Sequence, residues 1–141
     1  MPQETETVER HETRLRVRYA ETDQMRVVYH ANYLVWMEVG RVELVRSRGI
    51  NYKELEQTEG LFLAVIDVHC RYLFPARYDQ EIVVYTEVVH SNARKVEFAY
   101  HIHSVEDHRL LVQGGTRHIW VNREMHPTRL PEKYWSFLRV G

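Results

Sequence analysis

The chain has 141 residues, a length that suits one domain better than two. Its 19 basic and 20 acidic residues leave a net charge of −1, without the basic excess that non-specific nucleic-acid binding needs, so we expect no nucleic-acid partner. The longest strongly apolar run, residues 61–66, is too short to span a bilayer, and the N-terminus lacks an apolar signal segment. These features predict a cytoplasmic protein without a membrane span.

Residues 1–12 are polar and lack apolar periodicity, which predicts a flexible tail ahead of a single domain at residues 13–141. Charged and apolar residues then alternate, with Leu15, Val17 and Tyr19 on the apolar side. This period of two predicts a half-buried first strand.

A polar loop at residues 20–26 precedes a segment with helical periodicity. Its apolar residues recur at helical spacing and predict one buried face: Tyr33, Trp36, Met37, Gly40 and Leu44. Asn32 is the predicted N-cap and Gly49 the predicted end. Other apolar residues surround most of the circumference, so we expect a sheet to wrap this helix. Gly40 costs about 1 kcal/mol relative to alanine inside a helix, which predicts a close approach to its backbone.

A short helix near residues 51–57 and four more strands follow. The predicted strands are residues 62–74, 81–90, 95–105 and 109–122, and residues 127–138 are predicted to end in a short helix. The connections are short, which favours antiparallel hairpins. This order predicts an α+β fold, a long five-stranded antiparallel sheet curled around one mostly apolar helix. Because one helix cannot close the sheet edges, we expect a homo-oligomer.

The polar loop carries the strongest candidate for chemistry, because Asp23 stands shortly before His30 and the predicted start of the helix. A helix N-terminus has unpaired amides and a partial positive charge, so it can polarise a carbonyl oxygen. A carboxylate beside such amides supplies an acid or base and an oxyanion site from one short segment. The same aspartate is also typical of a residue that caps a turn.

Other groups of polar residues in the sequence give weaker indications of a functional site. His101 and His103 share a strand face but have no further recognisable ligands nearby in sequence, so no metal site is predicted. Glu38 and Arg41, three residues apart on the helix, are interpreted as a structural ion pair. Cys70 lies in an apolar alternation and is interpreted as a buried core thiol.

The loop sequence Thr-Asp, followed by Val-Val-Tyr-His-Ala-Asn-Tyr at residues 27–33 and by Glu38 and Arg41, resembles a known family. These residues are similar to the hotdog-fold acyl-CoA thioesterases of the 4-hydroxybenzoyl-CoA thioesterase type, including the tol-pal-associated branch. The likeness continues through residues 74–79 and covers about residues 14–122. It implies a hotdog fold, an acyl-CoA substrate hydrolysed to a carboxylic acid and CoA, and no metal or bound cofactor.

The resemblance also implies roles for individual residues. Asp23 would supply the reacting carboxylate, as nucleophile or as general base, and the backbone N–H of His30 would polarise the thioester carbonyl. The pantetheine arm would lie between subunits of a homodimer or homotetramer, and basic residues would meet the nucleotide phosphates. The predicted substrate-binding residues are Tyr29, Asn32, Arg94 and Lys95. The last two lie at a predicted hairpin, where solvated turn charges are the alternative interpretation.

Arg26 departs from the family pattern, which has glycine three residues after the aspartate. Glycine serves where the backbone needs a positive φ or a close approach to a ligand. We therefore expect Arg26 to adopt a left-handed conformation, with recruitment to an acidic ligand as the alternative.

Two other functions stay open from the sequence. A hotdog-fold hydratase or dehydratase would add or remove water across a C–C double bond of an acyl thioester, and a non-catalytic module would bind acyl-CoA without turnover. The acyl group and the choice between dimer and tetramer are not specified by the sequence.

Overall fold

The computed structural model describes residues 10–139. The strands are β1 (His11–Arg16), β2 (Phe62–Tyr72), β3 (Glu81–Ser91), β4 (Lys95–Ser104) and β5 (Leu110–Val121). The helices are α1 (Asn32–Ser47) and the single-turn α2 (Tyr52–Glu54), which continues into a π-helical turn at Leu55–Glu59. Short 3-10 turns lie at Tyr19–Glu21 and Glu132–Phe137. Of the predicted tail, residues 1–9 lie outside the described residues, and His11 and Glu12 belong to β1.

The five strands form one antiparallel sheet in the order β1-β3-β4-β5-β2. Helix α1 packs on this sheet, mainly against β1 and β3. The predicted α+β architecture is therefore confirmed. On β4 the alternation places Val96, Phe98, Tyr100 and Ile102 in the core, as the period of two predicts.

The first strand ends earlier than the alternation predicts. Leu15 packs against the core and Val17 is buried, but Tyr19 is 77% exposed. The chain turns at Tyr19–Glu21, where the N–H of Thr22 bonds to the carbonyl of Tyr19. The prediction that Tyr19 faces the core was wrong because a 3-10 turn replaces extended backbone there.

The predicted face of α1 is buried as expected: Tyr33, Trp36, Met37, Gly40 and Leu44. The N-cap prediction was wrong, since Ala31 occupies that position and Asn32 is the first helical residue. The side chain of Asn32 instead donates to the carbonyl of Glu21 at 2.9 Å. At the other end, Gly49 follows the helix with a φ of +94°, which confirms the predicted end.

Gly40 confirms the expected close approach of the sheet to the helix. A methyl group at this position would overlap the Thr86 hydroxyl and lie 3.0 Å from a methyl of Val84, both on β3. The absence of a side chain lets α1 settle directly onto the sheet, which offsets the low helix propensity of glycine.

The sheet does not wrap α1 completely within one chain. Val35 on the helix is 50% exposed, and the edge strand β2 is largely exposed along its length. A register shift between Val65 and Asp67 interrupts the pairing of β2 with β5, and Ile66 between them is 53% exposed. Cys70 is half-buried and packs against the core, so it is less enclosed than predicted.

Two kinds of feature are absent from residues 10–139. No helix there is both long enough and apolar enough to cross a membrane. Within the same residues, no group of three or more His, Cys, Asp and Glu side chains is arranged to hold a metal ion.

Candidate active site

The polar loop folds as a tight hairpin between Thr22 and Val28, which face each other in an isolated β-bridge. The N–H of Asp23 bonds to the carbonyl of Val27, and the N–H of Arg26 bonds back to the carbonyl of Asp23, both at 2.9 Å. Arg26 closes this turn with a φ of +64°, so the predicted left-handed conformation is confirmed. A turn followed by a left-handed residue is a common hairpin geometry in which glycine usually occupies that last position.

The turn also fixes the carboxylate of Asp23. One carboxylate oxygen accepts a hydrogen bond from the N–H of Met25 at 2.8 Å. No other residue among residues 10–139 donates a hydrogen bond to this carboxylate. Asp23 lines a cavity of about 310 Å³, together with His30 and Tyr72. Asp23 is therefore oriented by the turn and keeps one oxygen available for chemistry.

The start of α1 forms the other side of this cavity. The N–H of Tyr29 bonds to the carbonyl of Glu21, and the N–H of Asn32 bonds to the carbonyl of Tyr29. Between them, the N–H of His30 has no acceptor among the described residues. An unpaired amide at the positive end of a 16-residue helix can donate to an anion or a carbonyl oxygen.

Tyr72, at the end of β2, was not identified from the sequence. Its hydroxyl donates to the carbonyl of His30 at 2.8 Å, which ties the edge strand to the start of the helix. Desolvation of the hydroxyl raises the pKa of Tyr72 to about 12, so it remains a proton donor at neutral pH. The position of Tyr72 shortly before Pro75, which ends the strand pattern, is the only signal in the sequence.

The remaining wall of the cavity is mostly apolar. Tyr33 is buried there, and its hydroxyl accepts a hydrogen bond from the N–H of Ala76 at 3.0 Å. Desolvation raises the pKa of the Tyr33 hydroxyl, which is therefore a neutral part of the wall. Phe74 and Pro75 complete the opening, both from the segment that follows β2. Such a wall suits an acyl group better than a charged one.

The predicted substrate-binding residues occupy two separate regions. Tyr29 lies at the helix start, where its ring contacts that of His30 at a tilt of 51°, with centroids 4.4 Å apart. Asn32 uses its side-chain amide to hold Glu21. Arg94 and Lys95 lie at the β3–β4 hairpin, at the opposite end of the sheet from the Asp23 cavity in the same chain. Arg94 lines a different cavity of about 550 Å³ at the β3–β4 hairpin.

The predicted ion pair between Glu38 and Arg41 was wrong, because the structure describes no contact within 4.0 Å between their charged groups. The guanidinium of Arg41 instead interacts with the hydroxyl of Tyr100, beneath the helix. Tertiary packing draws Arg41 toward the sheet, whereas Glu38 remains exposed.

The chain is similar to several known proteins. Residues 17–137 match the model of the thioesterase-like superfamily. The chain is 42% identical over 110 residues to a putative acyl-CoA thioesterase, YneP, of Bacillus subtilis, covering 78% of each chain. It is 29% identical over 119 residues to the acyl-CoA thioester hydrolase YbgC of Escherichia coli, covering 84% of this chain and 87% of that protein.

Among solved structures, a DHNA-CoA thioesterase from Staphylococcus aureus superposes with a TM-score of 0.84 at 30% identity, covering 90% of this chain and 84% of that one. A 4-hydroxybenzoyl-CoA thioesterase mutant superposes equally well at 10% identity, which shows a shared hotdog fold alone. The match to the family model spans most of the chain. The chain therefore belongs to the thioesterase-like superfamily.

Proposed function

We propose that this protein is a thioesterase that hydrolyses acyl-CoA to a free carboxylic acid and CoA. The observation that carries the proposal is the pairing, around one cavity, of the Asp23 carboxylate with the unpaired N–H of His30. The relatives named as acyl-CoA thioesterases support the same substrate class. Placement in the tol-pal-associated branch and a cytoplasmic location stay predictions from the sequence.

In the proposed reaction, the thioester carbonyl oxygen accepts a hydrogen bond from the His30 N–H. The helix start then stabilises the negative charge that develops on this oxygen as the carbonyl carbon becomes tetrahedral. Asp23 acts as general base, taking a proton from the water that attacks the carbon. The C–S bond breaks to give the carboxylic acid, and the CoA thiolate takes up the proton that Asp23 removed from water. The alternative role for Asp23 is direct attack, which expels the CoA thiolate and forms an anhydride that water then hydrolyses.

Within one chain, Arg94 and Lys95 lie at the opposite end of the sheet from Asp23, so their proposed role in binding the same substrate requires a second copy of the chain. We propose a homo-oligomer in which two copies of β2 pair edge to edge, because this strand is unpaired on one side and exposes Val65, Ile66 and Val68. Antiparallel pairing around a two-fold axis places the hairpin end of one sheet beside the Asp23 end of the other. The hairpin cations of one copy would then meet the phosphates of CoA bound at the other.

The test of the proposal is a thiol-release assay on Asp23→Asn, over short, medium, long and aromatic acyl-CoAs. We expect the folded variant to lose about 10² to 10⁴ in kcat, the usual contribution of a positioned acid or base. Asp107→Asn is the matched control, since Asp107 caps an exposed turn in the same way, accepting from the N–H of Arg109 at 3.1 Å. Retention of more than about half of the activity by Asp23→Asn would remove Asp23 from the mechanism.

The same assay distinguishes hydrolysis from the other two functions, because neither of them releases free thiol. A hydratase would change the acyl group without releasing free thiol, and a binding module would retain acyl-CoA unchanged. Single-turnover hydrolysis in ¹⁸O-labelled water then tests direct attack by Asp23. Label in the Asp23 carboxylate would show that an anhydride had formed. We expect label in the released acid alone, which excludes an anhydride that water opens at its aspartyl carbonyl.

A further inference from the structure

Glu21 is a buried carboxylate that no pattern in the sequence distinguishes. It is 6% exposed and lies two residues before Asp23. One carboxylate oxygen accepts from the N–H of Arg18 at 2.8 Å, and the other accepts from the indole N–H of Trp36 at 2.7 Å. Trp36 lies in the buried face of α1. A buried carboxylate requires such donors, because an unpaired charge away from water is costly.

The backbone of Glu21 makes two further contacts to the same region. Its carbonyl accepts from the N–H of Tyr29 and from the side-chain amide of Asn32, each at 2.9 Å. Tyr29 directly precedes His30, and Asn32 begins α1. Glu21 therefore forms hydrogen bonds with Arg18 before the polar loop, with Tyr29 after it, and with Asn32 and Trp36 in the first two turns of α1. We call Glu21 and Trp36, with the hydrogen bond between them, the brace.

These contacts fix the distance between the two groups that the proposed reaction needs. Asp23 lies two residues after Glu21. His30 directly follows Tyr29, whose N–H bonds to the carbonyl of Glu21. Of residues 24–29 between Asp23 and His30, four are exposed, whereas Val28 packs into the core and its N–H bonds to the carbonyl of Ala76. A change in the tilt of the loop relative to α1 would move the Asp23 carboxylate away from the carbon that it serves, and small misplacements of this kind are costly in catalysis.

We infer that Glu21 is a positioning residue that holds the Asp23 loop against the start of α1, and that it acts on turnover through Asp23. This inference rests on the proposed function. Arg18, whose guanidinium lies 3.4 Å from Glu21 but is 73% exposed, adds little through its charge. The directional hydrogen bonds from the Arg18 N–H and from Trp36 carry the effect.

The arrangement requires a carboxylate rather than an amide. Both oxygens of Glu21 face N–H donors, and a glutamine has one acceptor oxygen. Its NH₂ group would point at a second N–H, so one of the two contacts must open. Glu21→Gln therefore changes few atoms while it weakens the brace. Trp36→Phe removes the indole donor and retains an aromatic ring in the core.

The experiment measures kcat and KM for Glu21→Gln and Trp36→Phe in the wild-type and Asp23→Asn backgrounds. Glu124→Gln, an exposed glutamate in the turn after β5, is the matched control. We expect each brace variant to lower kcat by about tenfold or more, with KM within about threefold, because positioning acts on the chemical step. In the Asp23→Asn background we expect each brace variant to lower kcat by less than about twofold further. The carboxylate through which Glu21 acts is already absent there.

Two results would overturn the inference. One is a kcat within about twofold of wild type for both brace variants. The other is the same loss with and without the Asp23 carboxylate, which would show that Glu21 supports the fold alone. If Glu21→Gln does not fold, Trp36→Phe provides the same comparison. Failure of the proposed mechanism is distinguishable from failure of this inference. An active Asp23→Asn enzyme would refute the mechanism, and that single variant shows it without either brace variant.

Discussion

Arg26→Gly tests how the turn that carries Asp23 is built. A left-handed conformation costs an L-residue about 1–2 kcal/mol, and Arg26 holds one at a φ of +64°. Glycine removes this cost but gives the unfolded chain more freedom, which lowers stability by about 0.4–1 kcal/mol. At the middle of both ranges the net gain is about 0.8 kcal/mol, or a rise of about 2–3 °C in Tm for a chain of this size. Thermal unfolding with a thiol-release assay on the same samples measures both effects.

The chain contains a matched control for this substitution. The turn after β5 repeats the geometry, since the N–H of Met125 bonds to the carbonyl of Asn122 at 3.0 Å and Met125 has a φ of +64°. Its side chain is 67% exposed, outside the Asp23 cavity. Met125→Gly should therefore give a similar rise in Tm without an effect on hydrolysis.

The comparison decides what Arg26 does. If its role is confined to the backbone, both glycine variants gain stability and Arg26→Gly retains kcat/KM within about tenfold, equivalent to about 1.4 kcal/mol. A larger loss, expressed mainly in KM and confined to Arg26→Gly, would show that the guanidinium binds substrate. A drop in Tm for Arg26→Gly beside a rise for Met125→Gly would refute the strain argument itself.

Three further predictions concern the core and the assembly. Gly40→Ala should lower the free energy of unfolding by roughly 1–3 kcal/mol in urea titrations, because overlap with Thr86 outweighs the better helix propensity; a stabilised variant would contradict this. His118 is buried, and desolvation lowers its pKa from 6.5 to about 4, so the unfolded state binds the proton first as pH falls. Stability should decline by about 3 kcal/mol between pH 6.5 and pH 4, and an unchanged pH dependence in His118→Gln would exclude this cause. Val68→Lys, on the exposed edge strand β2, should dissociate the oligomer in sedimentation experiments, whereas Val89→Lys, similarly exposed on the inner strand β3, should not; a wild-type monomer that hydrolyses substrate would refute assembly through β2.

Local patterns in the sequence determined the main elements of the fold. The helical spacing from Tyr33 to Leu44 defines the buried face of α1, and the period of two along β4 defines its core face. Gly40 predicted contact with the sheet. These features depend on residues close in sequence, for which periodicity and backbone sterics are sufficient. The left-handed backbone of Arg26 was expected from the resemblance to a family that has glycine at this position.

Tertiary structure decided which distant groups meet. The hydrogen bond from Tyr72 to His30 and the hydrogen bond from Trp36 to Glu21 join residues whose proximity follows from how the sheet, loop and helix pack. Packing also drew Arg41 toward Tyr100 and away from the ion pair that helical spacing favours. The sequence by itself identified a carboxylate near a helix start. The shape of the cavity and the brace beneath the loop depend on long-range contacts, which no local spacing encodes.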